Sequence, residues 1–245
     1  PKAKVGHGGT LDPLATGVLP VAIGEATKLA GRMLDGDKVY AFTVRFGSET
    51  DTLDLEGRIV AESDVRPTRA QIEAVLPRFT GPIEQVPPAY SALKVDGERA
   101  YDLARAGGDV VLVGRQVVIR AIAVANPSPE AERLSELTLT AHVSKGTYIR
   151  SLARDIARAL GTVGHVTMLR RTRAGPFTLD QAISLDKLAE AAMARGLEDI
   201  LLPMRAGLDD IPALPLAPDQ AGALREGRKL AGIAAHDGLY FAVLH

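Results

Sequence analysis

At Gly146 the hydrophobic period of this chain changes from two residues to about 3.6, and that switch calls for a sheet packed against a helix. Upstream, Tyr40, Phe42, Val44 and Phe46 alternate in YAFTVRF, and Leu137, Leu139, Ala141 and Val143 alternate in SELTLTAHVS. Each set lies on one face of a half-buried strand. Downstream, Ile149, Leu152, Ala153, Ile156, Ala157 and Leu160 mark one face of a helix that Gly161 ends. VVLVGRQVVIRAIAVA supplies a further extended stretch, separated from SELTLTAHVS by the loop NPSPEAERL. GRIVAE follows the polar turn GSETDTLDLEG and is expected to return against YAFTVRF as a hairpin. SDVRPTRAQIEAVLPRF predicts a helix with Ile72, Val75, Leu76 and Phe79 inward, capped by Ser63, Asp64 or Thr68, and GERAYDLARAGG a shorter one over residues 97–108. Hairpins replace regular strand–helix–strand alternation, so the expected class is α+β, with a mixed, largely antiparallel central sheet flanked by helices. Pro203, Pro212, Pro215 and Pro218 place a boundary near residue 205. A large domain over 1–205 and a small module over 206–245 follow, the latter with a helix in PDQAGALREG and a closing strand in GLYFAVLH.

A hydrophobic content of 46% over 245 residues is enough for a full core. The formal net charge is −1, so the chain as a whole advertises neither a nucleic acid nor a membrane surface, and any anion site must be local. With no cysteine, disulfides, thiolate chemistry and cysteine zinc sites are excluded, and a reducing, cytoplasmic compartment is expected. No apolar run reaches the roughly 20 residues that span a bilayer. The chain begins at Pro1 without an initiator methionine, so the lack of a leader peptide carries no weight. The histidines His7, His142, His165, His236 and His245 form no i, i+4 pair for zinc. In Asp51-Thr52-Leu53-Asp54-Leu55-Glu56-Gly57, leucines stand where a calcium loop needs oxygen ligands, and the stretch reads as a solvated turn that can touch a substrate. Neither a dinucleotide fingerprint nor a P-loop occurs, so chemistry without metal or cofactor is expected.

GHGGTLDPLATGVLP sets one carboxylate, Asp12, between three glycines and a proline. Asp-Pro is by itself a good helix start, with aspartate as N-cap and proline at the first helical position. The surroundings argue for more. Gly6, Gly8 and Gly9 permit close approach of the backbone to another molecule, and Pro13 pushes Asp12 toward extended backbone. A rigid loop presenting one acid is a catalytic platform, and capping and catalysis are compatible. A basic cluster stands elsewhere: Lys145, Arg150, Arg154, Arg158, Arg170, Arg171 and Arg173, with Asp155 the sole acid among them. Arg150, Arg154 and Arg158 recur at i, i+4 and i+8, which alone reads as a solvated helix face. SKGTYIR, however, delivers Lys145, Tyr148 and Arg150 to a strand–helix junction, and an aromatic beside a cation suits a base and its phosphates. Two rivals to an RNA-acting enzyme remain. One is a hydrolase using Asp12 on a phosphate or sugar; it lacks both the second acid two residues on, where Leu14 stands, and a partner carboxylate near in sequence. The other is a non-catalytic RNA-binding or chaperone module with the basic stripe as its surface.

GHGGTLDPLATGVLPVAIGEATK, KVYAFTVRFGSETDTLDLEG, PPAYSALKVDGERAYDLARAG, SKGTYIRSLARDIARALG and GHVTMLRRTRAGPF, in this order within residues 4–205, resemble the successive blocks of the TruB family of bacterial tRNA pseudouridine synthases. The resemblance implies an isomerase that converts uridine to pseudouridine at position 55 in the T loop of tRNA. The N1–C1′ bond breaks, the freed uracil turns, and C5 rejoins the sugar, with no cofactor and no metal. It implies that Asp12 is the nucleophile and Arg150 its partner, that His7 helps take the target nucleotide out of its loop, and that Tyr40 stacks on the target base. Tyr148 and Leu169 then line the uracil pocket. Lys28, in GEATK, is read as holding a phosphate or closing a helix C-terminus. Residues 1–205 would be the catalytic domain and 206–245 part of a C-terminal PUA-like β module, in a monomer whose partner is the T arm of tRNA. The family's N-terminal strand, with its Lys-Pro and Thr-Ser pairs, has no counterpart here, and the PUA-like module is expected to continue past His245. Arg150 beside Asp12 is expected to hold that carboxyl ionised against desolvation.

Overall fold

The computed structural model describes residues 3–90, 94–95, 98–99, 112–125, 132–233 and 235–244. Contacts divide the chain into two units, one of Pro1–Ala174 with Thr178–Ala182 and the other of Gly175–Phe177 with Ile183–His245. The first contains β1 (Val5–His7), β2 (Thr16–Gly17), β3 (Val21–Ile23), α1 (Ala30–Asp35), β4 (Lys38–Phe46), β5 (Ser48–Thr50), β6 (Ile59–Glu62) and α2 (Arg69–Val75). It continues with β7 (Gly81–Gln85), β8 (Lys94–Val95), β9 (Glu98–Arg99), β10 (Arg115–Val124), β11 (Glu136–Val143), α3 (Ile149–Ala159) and β12 (Gly164–Ala174).

The main sheet runs β12-β4-β11-β10-β7 with antiparallel neighbours, and β2 adds to β12 in parallel. Strict alternation explains why β4 lies inside it. Phe42 and Val44 are fully buried, and they meet Leu139 and Leu137 of β11 and Leu169 and Val166 of β12. Onto this core α3 lays Leu152, Ala153, Ile156 and Ala157, all fully buried. Each such large apolar side chain contributes about 1.5–3 kcal/mol relative to exposure. The inward row of β4 ends in Tyr40, paired in register with Ala141 on one side and Arg171 on the other.

Local chemistry sets the element ends. Thr68 Oγ1 accepts from the Gln71 N–H at 3.2 Å while Gln71 Oε1 accepts from the Thr68 N–H at 2.9 Å, a capping box that starts α2. Gly161, at φ +72°, ends α3. GRIVAE does not return against YAFTVRF. Both edges of β4 are taken by β11 and β12, and Ile59 and Val60, each 59% exposed, offer no buried face, so β6 pairs with β5 instead. Of the helix expected over 97–108, Glu98 and Arg99 pair as a strand with Val95 and Lys94, and the remainder lies outside the described residues. No helix follows Asp12-Pro13. Pro13 and Leu14 form a turn in which the Ala15 N–H donates to the Asp12 carbonyl at 2.8 Å, and the chain then enters β2.

The second unit carries α4 (Leu185–Met193), β13 (Ala213–Leu216), α5 (Pro218–Arg225) and β14 (Phe241–Leu244), with β13 and β14 paired in parallel. Ser184 caps α4 by accepting the Lys187 N–H at 3.2 Å, and Pro218 opens α5, where a missing N–H costs nothing. The prolines Pro203, Pro212, Pro215 and Pro218 all fall within this unit.

Candidate active site

The loop carrying Asp12 lies between β1 and β2, and its glycines let it sit close to its supports. A Cβ at Gly8 would come within 2.7 Å of Met33 Cβ on α1, and Gly9 has φ +125°. Facing it is the start of α3, fixed by Gln85 at the end of β7. Gln85 is 1% exposed and both ends of its amide go to the main chain of Tyr148: the Tyr148 N–H donates to Oε1 at 2.7 Å and Nε2 donates to the Tyr148 carbonyl at 3.1 Å. Ser151 Oγ and Arg154 add bonds to the Val86 carbonyl at 2.8 and 3.2 Å. The first turn of α3 is thereby pinned to β7, and Arg150 with it.

From that turn the Arg150 guanidinium reaches Asp12 Oδ2 at 2.7 Å and Asp54 Oδ2 at 3.3 Å, and donates to the carbonyls of Thr52 and Tyr90 at 2.8 and 2.9 Å. The three side chains are 7%, 18% and 2% exposed. Asp54 Oδ1 accepts from Thr52 Oγ1 at 2.5 Å and from the Glu56 N–H at 2.9 Å. The Asp51–Gly57 turn is therefore not solvated at its centre. Leu53 there adopts φ +64°, a left-handed conformation costly for a leucine, which the buried surroundings of Asp54 hold in place. Burial raises the Asp12 carboxyl above its ordinary 3.8, Arg150 opposes the rise, and the Asp54 charge adds to it. Desolvation is the larger effect and Arg150 works against it, in the sense expected from the sequence. Asp12 Oδ1 is buried and has no hydrogen-bond partner among the described residues.

Asp12, Tyr40, Asp54, Tyr148, Arg150 and Leu169 line one open cavity of about 900 Å³, a size that accepts a nucleotide. Arg115 lies over the Tyr148 ring, 4.5 Å from its centroid, and donates to the Gly146 carbonyl. Lys38 reaches the cavity wall with its ammonium donating to the carbonyls of Met33, Leu34 and Gly36, at the end of α1. Two residues singled out in the sequence stand outside the lining. His7 is exposed at the end of β1, its Nδ1 accepting the Gly9 N–H at 3.4 Å, and Lys28 is 76% exposed in a 3₁₀ turn, 2.5 Å from Glu25. The basic stripe of α3 is a solvated face only at its far end. Arg150 is buried, Arg154 is 13% exposed and bonded to Asp155, and Arg158, 56% exposed, reaches the buried Glu49 at 2.9 Å. Gln85 and Arg115 escaped the sequence reading, and Asp54 entered it only within a turn that can touch a substrate. The leucines alternating with the acids give no signal of its burial, since Leu55 is 51% exposed while Asp54 is buried.

Among the described residues no group of three or more His, Cys, Asp or Glu side chains is arranged to hold a metal, and no helix is long and apolar enough to cross a membrane. An acid braced by a guanidinium in a cleft of nucleotide size, on an antiparallel sheet, has the form of an enzyme active site. Residues 1–149 match the N-terminal domain of the TruB family pseudouridylate synthases, and residues 150–209 the tRNA pseudouridylate synthase B C-terminal domain. The chain is 66% identical over 243 residues to a tRNA pseudouridine synthase B of Novosphingobium aromaticivorans, spanning 99% of this chain and 80% of that one. It is 60% identical to the enzyme of the same name from Zymomonas mobilis, over 99% and 78% of the two chains. Among solved structures it resembles a Cbf5-Nop10-Gar1 complex, with a TM-score of 0.70 and 28% identity over 98% of this chain and 66% of that one. An H/ACA RNP bound to a substrate RNA containing 2′-deoxyuridine gives 0.69 and 26% over the same shares. The chain belongs to the TruB family of pseudouridylate synthases. It is an isomerase.

Proposed function

We propose that this pseudouridine synthase acts on tRNA, isomerising the uridine at position 55 of the T loop with Asp12 as nucleophile on a flipped-out nucleotide. The observation that carries the reading is Asp12 itself. One of its oxygens is tied to Arg150 at 2.7 Å, the other is buried with no hydrogen-bond partner among the described residues, and the residue lines the cavity. A carboxylate so held can add to the base or to C1′, or take a proton from C2′. In each case the residues around it have the same work. Arg150 keeps the charge in place, Tyr40 and Tyr148 offer aromatic faces to the detached uracil while it turns, and Leu169 closes the wall. Eversion of the nucleotide costs roughly a few kcal/mol of unstacking, and stacking on an aromatic returns about 1–3 kcal/mol per base. In this reading His7, exposed at the end of β1, takes the vacated position in the RNA, and Lys28, exposed and paired with Glu25, exchanges that partner for a phosphate. The tRNA-directed names of the relatives support tRNA as the partner, and the T arm is part of the same proposal. The same reading gives a cytoplasmic monomer whose residues 206–245 form part of a PUA-like module.

The rivals lose ground for physical reasons. A non-catalytic RNA-binding module would present the arginine stripe of α3, but Arg150 and Arg154 are turned inward onto acids and carbonyls and Arg158 alone of the three is exposed. The hydrolase reading gains a second carboxylate in Asp54. That group is 2% exposed with both oxygens engaged by Arg150, Thr52 and the Glu56 N–H, so it is not free to meet a leaving group. The test is incubation with an unmodified tRNA transcript followed by carbodiimide treatment and primer extension. A stop in the T loop with the wild type, and none with Asp12→Asn at undiminished tRNA affinity, is the expected result. Release of free uracil selects the hydrolase, binding without a stop selects the module, and a stop with Asp12→Asn removes Asp12 from the chemistry.

A further inference from the structure

Arg171, on β12, is the largest of the fully buried side chains, 1% exposed, and no carboxylate among the described residues pairs with it. Its guanidinium is used entirely on one loop. Nη2 donates to the Gly9 carbonyl at 3.1 Å, Nη1 to Thr10 at 3.3 Å and Nε to Val18 at 2.7 Å. Gly9 and Thr10 precede Asp12 and Val18 follows it, so a single planar fork ties both stems of the loop that presents the acid. The main chain of Arg171 does the same from its own side. Its carbonyl accepts the Val18 N–H at 2.8 Å, and β2 pairs with it through Gly17. Gly17 has φ +101°, and a side chain there would run into that carbonyl. A buried cation without a counter-ion is costly to desolvate, and an apolar residue would fill the volume as well. The fork is accounted for by the three carbonyls it gathers.

We propose that Arg171 is a positioning residue for the isomerisation: by holding both stems of the Gly9–Val18 loop it sets Asp12 against Arg150 and the cavity. The inference rests on Asp12 as nucleophile. Lysine keeps the charge but is a compact ammonium without the planar fork, so it cannot span both stems. A displacement near 1 Å at the reacting group costs about 100-fold in rate. Arg171→Lys is therefore expected to lower the single-turnover rate by about 100-fold while the Kd for an unmodified tRNA transcript stays within about threefold, the signature of lost transition-state alignment. Gly17→Ala attacks the same junction from β2 and is expected to show the same split, with the far-ultraviolet circular dichroism of both variants that of the wild type at the assay temperature.

A folded Arg171→Lys with wild-type rate overturns the inference. So does a loss of rate and affinity by one common factor, or a failure of both variants to fold, since either makes Arg171 a general support of the structure. Asp12→Asn run in parallel separates the two claims. Activity in that variant sinks the nucleophile assignment, whereas an inactive Asp12→Asn beside a fully active Arg171→Lys sinks only the role of Arg171.

Discussion

Asp12 is an acid that the fold makes harder to ionise. Burial raises it above 3.8, Arg150 opposes, and Asp54 adds to the rise. If the ionised form reacts, the single-turnover rate must fall as pH drops through this raised value, so the acid limb has its midpoint above 3.8. Asp54→Asn removes a negative neighbour and is expected to move that midpoint down; an upward move would mean that Asp54 acts on Asp12 chiefly by aiming Arg150. The same shift has a stability consequence. The folded chain binds the Asp12 proton more tightly than the unfolded one, so this contribution is complete below 3.8 and is lost as pH rises through the folded value. At neutral pH the ionised carboxylate is a net burden. Asp12→Asn, which leaves Arg150 beside Asp54, is accordingly expected to have a urea midpoint at pH 7.5 equal to or above that of the wild type, with the advantage fading toward pH 4. A clearly lower midpoint would show that the pairing outweighs burial. Asp12, Tyr148 and Arg150 could be picked out in the sequence because each stands in an unusual setting, a glycine loop or a strand–helix junction, whereas Tyr40 and Leu169 read as core by pattern and were singled out by the family resemblance alone. Asp54 could not, since the burial of a turn depends on what covers it.

At the scale of elements, the site is a meeting of two loops with a helix start, each pinned by a buried polar side chain. Tyr148 offers no side-chain cap to α3, and Gln85 takes that part by pairing with its main chain on both sides. Gln85→Leu leaves the Tyr148 N–H unpaired, at about 1–3 kcal/mol, while the Tyr148 carbonyl keeps the bond from the Leu152 N–H at 3.0 Å. The expected loss is roughly 1–3 kcal/mol of stability by urea unfolding, with a drop in single-turnover rate as Arg150 shifts. Gln85→Glu, which keeps the acceptor and loses the donor, should fall between. Full stability in Gln85→Leu would show that packing alone seats α3. What was legible here followed period and caps: β4, β11, α2 and α3 announced themselves by where their apolar residues recur. The hairpin with β6 failed because pairing is decided by which edges are free, and edge occupancy is a long-range property. The α3 stripe failed for a related reason. Spacing says that three arginines share a face, and only the packed structure says that Asp12, Asp54, Asp155 and Glu49 wait for them.

Across the whole molecule, a net charge of −1 must be reconciled with a polyanionic partner. Much of the positive charge near the site is committed internally: Arg150 to carboxylates, Arg171 to carbonyls, Arg154 to Asp155 and the Val86 carbonyl. What faces outward near the cavity is held more loosely. Lys145, on the cavity wall, pairs with Asp35 at 2.7 Å, both side chains being 63% exposed, and Arg120 shares Asp37 with His142. Exposed pairs of this kind are worth little, about 0–1 kcal/mol, so a phosphate can displace the carboxylate at small cost. RNA affinity should then rest on a few such exchanges together with stacking in the cavity. The slope of log K against log salt should be shallow, near −0.7 for each phosphate contacted. Lys145→Ala is expected to weaken tRNA binding at low salt and to flatten that slope by about one contact's worth, with the single-turnover rate at saturating tRNA falling less than the affinity. Filter binding at 50 and 200 mM salt distinguishes the outcomes. An unchanged slope places the phosphate contacts on other cations and leaves Lys145 tethered to Asp35 when RNA is bound.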